Sequence, residues 1–266
     1  MTAVETIFLG IIQGLTEFLP VSSSGHLVVG RNLIGFREPE LLLDTALHFG
    51  TLLAICIYFR KDIGKMVEGV WALRKKENRT GKPGPYAVLA LMVIVGSIPT
   101  ALIGLIFKDP LESLFGSVTI VGMMLAITGI IVAVTRFIPE THGKKDRVNI
   151  IAALCIGVAQ GLAIVPGISR SGSTIVCGLA LGLNRDLAGR FSFLLSLPAI
   201  AGALLLQLDT AAITRVGLVP LVLGFLTSAV VGFLALKVLM RMVRKGHFYY
   251  FAPYCWAIGI LTVVMG

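Results

Sequence analysis

Six stretches of this chain are apolar over close to the length needed to cross a bilayer: Leu41 to Phe59, Tyr86 to Phe107, Val118 to Ile138, Leu187 to Leu206, Val216 to Leu236 and Tyr249 to Met265. A hydrocarbon core takes roughly 20 residues of helix at about 1.5 Å each. Backbone polar groups find no water there, so only helices or a closed barrel can span it. The runs lack the alternation of barrel strands, which leaves an all-α polytopic membrane protein. Composition agrees, since 56% apolar and 14% charged residues with a mean hydropathy of +0.91 cannot furnish a soluble surface. The N-terminus shows no basic leader and no small-residue cleavage site, so its first residues are read as part of the fold.

The net charge of +9 does not point to nucleic acid, because the basic residues lie in the connections between spans. Placing Arg60 to Lys82 in the cytoplasm and letting each run cross once puts eighteen Lys/Arg inside and four outside. The inside set includes Arg136, Lys144, Lys145, Arg147, Arg185, Arg190, Arg241 and Arg244; the outside set is Arg31, Arg37, Lys108 and Arg215. This asymmetry follows the positive-inside rule and fixes the orientation. Arg170 alone remains, inside an apolar stretch. Cys56, Cys155, Cys177 and Cys255 also fall in apolar stretches without metal-site spacing and read as buried thiols. The amphipathic segment from Lys61 to Lys76 reads as a cytoplasmic surface helix against anionic lipid.

The chain contains a duplication. An offset of 147 aligns Gly10, Gln13, Gly14 and Leu15 with Gly157, Gln160, Gly161 and Leu162, then Ser22, Ser24, Gly25 and Gly35 with Ser169, Ser171, Gly172 and Gly182. A weaker echo at offset 128 pairs Gly96, Ala101 and Gly104 with Gly224, Ala229 and Gly232. The halves are 1–138 and 149–266 of a single membrane domain, 1–266. Each half opens with two limbs too short and too polar for two crossings, which predicts re-entrant hairpins with tips at Pro20 to Gly25 and Pro166 to Gly172. One hairpin plus three spans is an odd number of crossings, so the second half must be inverted. The expected architecture is an inverted-topology repeat of about ten helical segments, with six full spans and two re-entrant helix hairpins. The glycine pairs Gly10/Gly14, Gly157/Gly161 and Gly178/Gly182 are expected to serve helix packing.

The polar residues gather at the hairpins. Ser22, Ser23 and Ser24 precede the second limb of the first hairpin, and Ser169, Ser171 and Ser173 flank the same place in the second; such positions cap helix N-termini. Two N-termini aimed at one point also make an anion site. Arg170 adds a fork of donors suited to phosphate, and at membrane depth it needs a partner, with Glu17 the structural alternative. Glu17 lies four residues after Gln13 on one helix face, and His26 follows the tip. Carboxylate, imidazole and hydroxyls at an anion site have the parts for phosphoryl transfer. Glu17 could anchor a divalent cation such as Mg²⁺ or Ca²⁺, since Mg²⁺ needs only one or two protein carboxylates beside substrate phosphates. Asp44 and His48 read as a helix-face hydrogen-bonded pair, and His142 and His247 as loop residues.

The segments Gln13-Gly-Leu-Thr-Glu17-Phe-Leu-Pro20-Val-Ser-Ser-Ser-Gly-His26 and Pro166-Gly-Ile-Ser-Arg170-Ser-Gly-Ser-Thr174 resemble the two signature motifs of the undecaprenyl-diphosphate phosphatases of bacteria. The resemblance runs over essentially the whole chain. It implies hydrolysis of undecaprenyl diphosphate to the monophosphate, a divalent cation, and a site facing the extracytoplasmic side of the plasma membrane. It also implies that Glu17 and Gln13 occupy the acidic motif, that Ser23 is the nucleophile, His26 the acid/base and Arg170 the diphosphate clamp. Substrate contacts are expected from Gln13, Ser22, Ser24, Gly25, Ser169, Ser171, Gly172, Ser173 and Thr174. Gln13 stands where some members have a second glutamate, so Glu17 is the one assured carboxylate. Serine attack and direct activation of water by His26 and Glu17 both remain open, as does a homodimer. A transporter shares the inverted-repeat architecture. The type 2 phosphatidic acid phosphatases are disfavoured, because no His follows Arg170 until His247.

Overall fold

The computed structural model describes residues 2–33, 41–74, 83–107, 114, 117–139, 143–207 and 217–265. Gly35, Arg37, Lys76, Lys82, Lys108, His142, Arg215 and Val216, each used above, lie outside the described residues. The described chain is helical: α1 (Ala3–Phe18), α2 (Ser23–Leu33), α3 (Leu41–Tyr58), α4 (Arg60–Arg74), α5 (Pro85–Ile106), α6 (Val118–Ala133), α7 (Ile150–Leu162), α8 (Arg170–Ala180), α9 (Arg185–Gln207), α10 (Leu218–Arg244) and α11 (Ala252–Met265). The protein is an all-α polytopic membrane protein.

Four of the expected spans are long and apolar enough individually: Pro85–Ile106, Val118–Phe137, Arg185–Leu205 and Leu218–Arg244. The other two differ from expectation. The run from Leu41 ends at Tyr58 and turns by 73° into α4, so it qualifies as a span only as a bent pair. The last run begins in a 3-10 turn, Phe248–Phe251, and counts as a shorter apolar helix. Lipid-facing chemistry is plain on α10, where Val222, Leu226, Val230, Leu234 and Val238 are all exposed. They recur every fourth residue, one stripe of a 3.6-residue helix, and only a lipid solvent tolerates such a face. On α4 the exposed residues include Val67, Val70 and Trp71, an apolar edge beside the basic residues that suits an interfacial helix.

The limbs α1 and α2 pack on each other, as do α7 and α8. At 16 and 11 residues, α1 and α2 reach only about 24 Å and 16 Å, too short for two comfortable crossings. Each first limb packs against a long helix of the opposite half: α1 on α10, and α7 on α5. The contacts fall where the sequence echoes fall. A Cβ on Gly10 would meet Gly224 and Thr227, and one on Gly14 would meet Gly232 and Val231. In the other half, a Cβ on Gly157 would run into the Gly96 carbonyl and Pro99, and one on Gly161 into Ile103. The glycines let backbones touch, as small residues do between membrane helices. Thr100 hydroxyl donates across this seam to the Gly157 carbonyl (2.8 Å).

The last helices of the halves, α6 and α11, pack on each other and hold the hairpin tips. Thr128, halfway along the Val118–Phe137 span, donates to the Gly167 carbonyl (2.9 Å) and accepts from Ser169 N–H (3.0 Å). The second tip is therefore level with the middle of a span. Cys255 on α11 likewise donates to the Pro20 carbonyl of the first tip (3.3 Å). At one end of the bundle Arg190 pairs with Asp62 (3.3 Å) and Asp186 (2.8 Å), and Arg244 pairs with Asp186 (2.7 Å). These join the start of α4, the start of α9 and the end of α10, gathering on one face residues that the charge asymmetry assigns to the cytoplasm.

Candidate active site

The two tips are built alike because equivalent residues do equivalent work. Ser22 accepts from Gly25 N–H (3.4 Å) and Ser169 from Gly172 N–H (3.1 Å), so each is the N-cap of its second limb. Each capping hydroxyl also bonds the serine two residues on, Ser22 to Ser24 and Ser169 to Ser171, both at 3.2 Å. The tips are joined to each other: Gly167 N–H donates to Ser24 Oγ (3.5 Å), and Ser171 Oγ donates to the Leu19 carbonyl (3.3 Å). Gly25 and Gly172 leave room for Leu125 and for Ser169 and Pro20 respectively. Ser22 sits at φ 66°, a left-handed conformation unusual for a residue with a side chain.

Between the two capping frames lie Ser23 and Arg170, the first residues of α2 and α8, and both reach the same carboxylate. Ser23 hydroxyl donates to Glu17 Oε2 (2.6 Å), and the Arg170 guanidinium donates to Glu17 Oε1. Gln13, one turn earlier on α1, donates its amide N–H to Oε2 (2.9 Å). Glu17 is 7% exposed and Gln13 fully buried, so the carboxylate is held by three donors in a site nearly closed to solvent. A charge removed from water persists only when paired and hydrogen-bonded. Arg170 needed a partner, and Glu17 supplies it, while the first side chains of two helices, Ser23 and Arg170, both bond the same negative charge.

The remaining candidates divide. His26 does not face Ser23. Its Nδ1 bonds the Ser22 carbonyl (2.9 Å) and its Nε2 the Tyr254 hydroxyl (2.8 Å). Thr174 is buried and donates to the Arg170 carbonyl of its own helix (2.8 Å). Ser173 N–H serves the first turn of α8 by donating to the Ser169 carbonyl (2.9 Å). His48 belongs to the site more closely than its spacing from Asp44 suggested: Nδ1 bonds the Asp44 carbonyl (2.8 Å), which turns Nε2 to 3.8 Å from Glu17 Oε2. Tyr254 was missed altogether, since a tyrosine in an apolar run carries no local signal and lies far from His26 in the chain.

Comparison with known proteins places the chain. The family described as "Bacitracin resistance protein BacA" matches residues 6–261. The chain belongs to this family. Curated relatives called undecaprenyl-diphosphatase include that of Desulforapulum autotrophicum, 46% identical over 274 residues that cover 100% of this chain and 99% of the relative. That of Desulfosudis oleivorans is 49% identical over 279 residues, covering 100% and 99%. That of Methanosphaera stadtmanae is 42% identical over 277 residues, covering 98% and 97%. The matched residues, 6–261, span both hairpins as well as the apolar helices.

Proposed function

We propose that this chain is an integral-membrane phosphatase that hydrolyses undecaprenyl diphosphate to undecaprenyl phosphate and inorganic phosphate. The observation that carries this reading is the Ser23 hydroxyl donating to a buried carboxylate (2.6 Å) that also holds an arginine from the opposite hairpin. A hydroxyl beside a base is an activated nucleophile, and an arginine fork is a phosphate clamp. The relatives' names supply the lipid class.

The geometry favours serine attack. Ser23 Oγ forms the bond to the terminal phosphorus as its proton passes to Glu17, and the P–O bond to the lipid monophosphate breaks. Arg170 and the N-terminal ends of α2 and α8 face the charge that develops on the phosphoryl oxygens. Water then attacks the phosphoserine, His26 accepting its proton, and Ser23 recovers its own proton from Glu17 as inorganic phosphate leaves. A divalent cation fits beside this machinery: Gln13 Oε1 is buried with no hydrogen-bond partner among the described residues, and with Glu17 it offers two hard oxygen donors. Gln13 and Glu17 would hold the ion, which supplies charge neutralisation at the diphosphate.

The spans and the gathered arginines support insertion in the plasma membrane with the ion-paired face inside, and the family resemblance supports a site open to the extracytoplasmic side. Phosphate release from a polyprenyl diphosphate by the purified protein in detergent tests the reading. Release by wild type and its loss in Glu17→Gln is the expected result. No release by wild type overturns it and favours a transporter.

A further inference from the structure

The imidazole of His26 is pinned from both sides, and the second contact comes from a helix that sequence spacing does not connect to the site. The Ser22 carbonyl can only accept, so Nδ1 carries the proton of the neutral ring. Nε2 is then a lone pair, and the partner that meets it, the Tyr254 hydroxyl at 2.8 Å, must donate. The two rings lie nearly parallel, with 9° between their planes and 5.7 Å between centroids. Both ends of the contact are anchored at the first tip. The Ser22 carbonyl belongs to the residue held at φ 66°, and the next residue after Tyr254, Cys255, is bonded to Pro20 of the same tip. Close approach of α11 to α6 at Gly122 and Gly259 seats the helix. A flip of the imidazole would break both hydrogen bonds at once.

We propose that Tyr254 is a positioning residue for His26, holding the ring in the Nδ1–H form with Nε2 as the base, an inference that rests on the phosphatase reading above. A phenol suits this place because its oxygen can also accept. The lone pair of Nε2 faces the phenol, so a proton reaches His26 through it: Tyr254 gives its own proton to Nε2 as its oxygen takes that of the water, and the contact persists with the roles reversed, orienting the imidazole before and after proton transfer. The arrangement separates two tasks within the first hairpin. Ser23 addresses Glu17, and His26 addresses Tyr254.

Tyr254→Phe tests this, because it keeps the ring and removes only the hydroxyl. The expected result is a roughly 10- to 100-fold fall in kcat with KM within about twofold, the size of a lost contribution to positioned acid–base catalysis. Wild-type stability should be retained. ¹⁵N spectra of histidine-labelled protein give a readout that packing alone would not move. The chain has four histidines, and His26→Ala assigns the signal. The wild type should show the Nδ1–H tautomer with a hydrogen-bonded Nε2, and Tyr254→Phe should move the Nε2 resonance as that hydrogen bond is lost while Nδ1–H stays on the Ser22 carbonyl. Wild-type kcat in Tyr254→Phe, or a fall in kcat with the His26 signal unchanged, overturns the inference while leaving the phosphatase reading in place. Absence of hydrolysis by wild type overturns the functional reading instead, and the nitrogen spectra still decide whether Tyr254 governs the ring.

Discussion

The two hairpins share one frame and differ in what the frame presents. Ser22 and Ser169 cap, Ser24 and Ser171 extend the cap, and Gly25 and Gly172 give the close approach. At the position between the two serines one hairpin has Ser23 and the other Arg170, and the two-sided arrangement brings both onto Glu17. The position equivalent to Glu17 is Ile164, and that equivalent to His26 is Ser173. The hairpins have matched helix N-termini, and on the proposed reading the differences at three positions make one the nucleophile with its base and the other the clamp. Helix capping is what the halves share, and the proposed catalytic groups are what they do not.

The comparison breaks most readily at the carboxylate. Glu17→Gln should cut phosphate release by about 10³-fold or more, since it removes the base for Ser23 and unpairs a buried arginine; retained turnover would mean that the carboxylate only anchors Arg170. Arg170→Ala should lower kcat/KM by roughly 10²- to 10³-fold, the scale of losing one preorganised donor, measured by the same assay. Substitutions in the frame should act on stability instead, and equally in both halves. Gly157→Ala and Gly14→Ala are each expected to cost about 1–3 kcal/mol from overpacking the seams, read by denaturant unfolding in detergent. A large cost in one half alone would show that the seams are not equivalent. The smallest effect belongs to the caps, where Ser22→Ala and Ser169→Ala should each cost about 0.5–2 kcal/mol, with Ser169→Ala leaving kcat within a few-fold.

Much of this was legible because it is local or periodic. Apolar runs and solvent physics give the spans, and the offset of 147 gives the paired hairpins. The echo at offset 128 acquires meaning only in three dimensions, where Gly224 meets Gly10 and Gly96 meets Gly157. The caps follow from serine chemistry, and Arg170 announced itself as a charge in an apolar stretch. Glu17 as a partner for Arg170 and the shared face of Gln13 and Glu17 could be read from the sequence, but the partners of Ser23 and His26 could not. Whether Ser23 turns to His26 or to Glu17 depends on a few ångströms set by tip geometry, and the phenol at His26 arrives from α11. His48 was read through its neighbour Asp44 because spacing of four residues is visible in a sequence, whereas the approach of α3 to α1 is not. The bend after Tyr58 was missed for a similar reason, since hydropathy measures length and not direction.

The central claim is that Ser23, activated by Glu17 and faced by Arg170, takes up the phosphoryl group. Rapid quenching of turnover with a polyprenyl diphosphate labelled in its terminal phosphate tests this most directly. A covalent label on the peptide containing Ser22, Ser23 and Ser24, absent from Ser23→Ala, is the predicted result. Label that persists in Ser23→Ala, or undiminished turnover by that variant, would contradict the account.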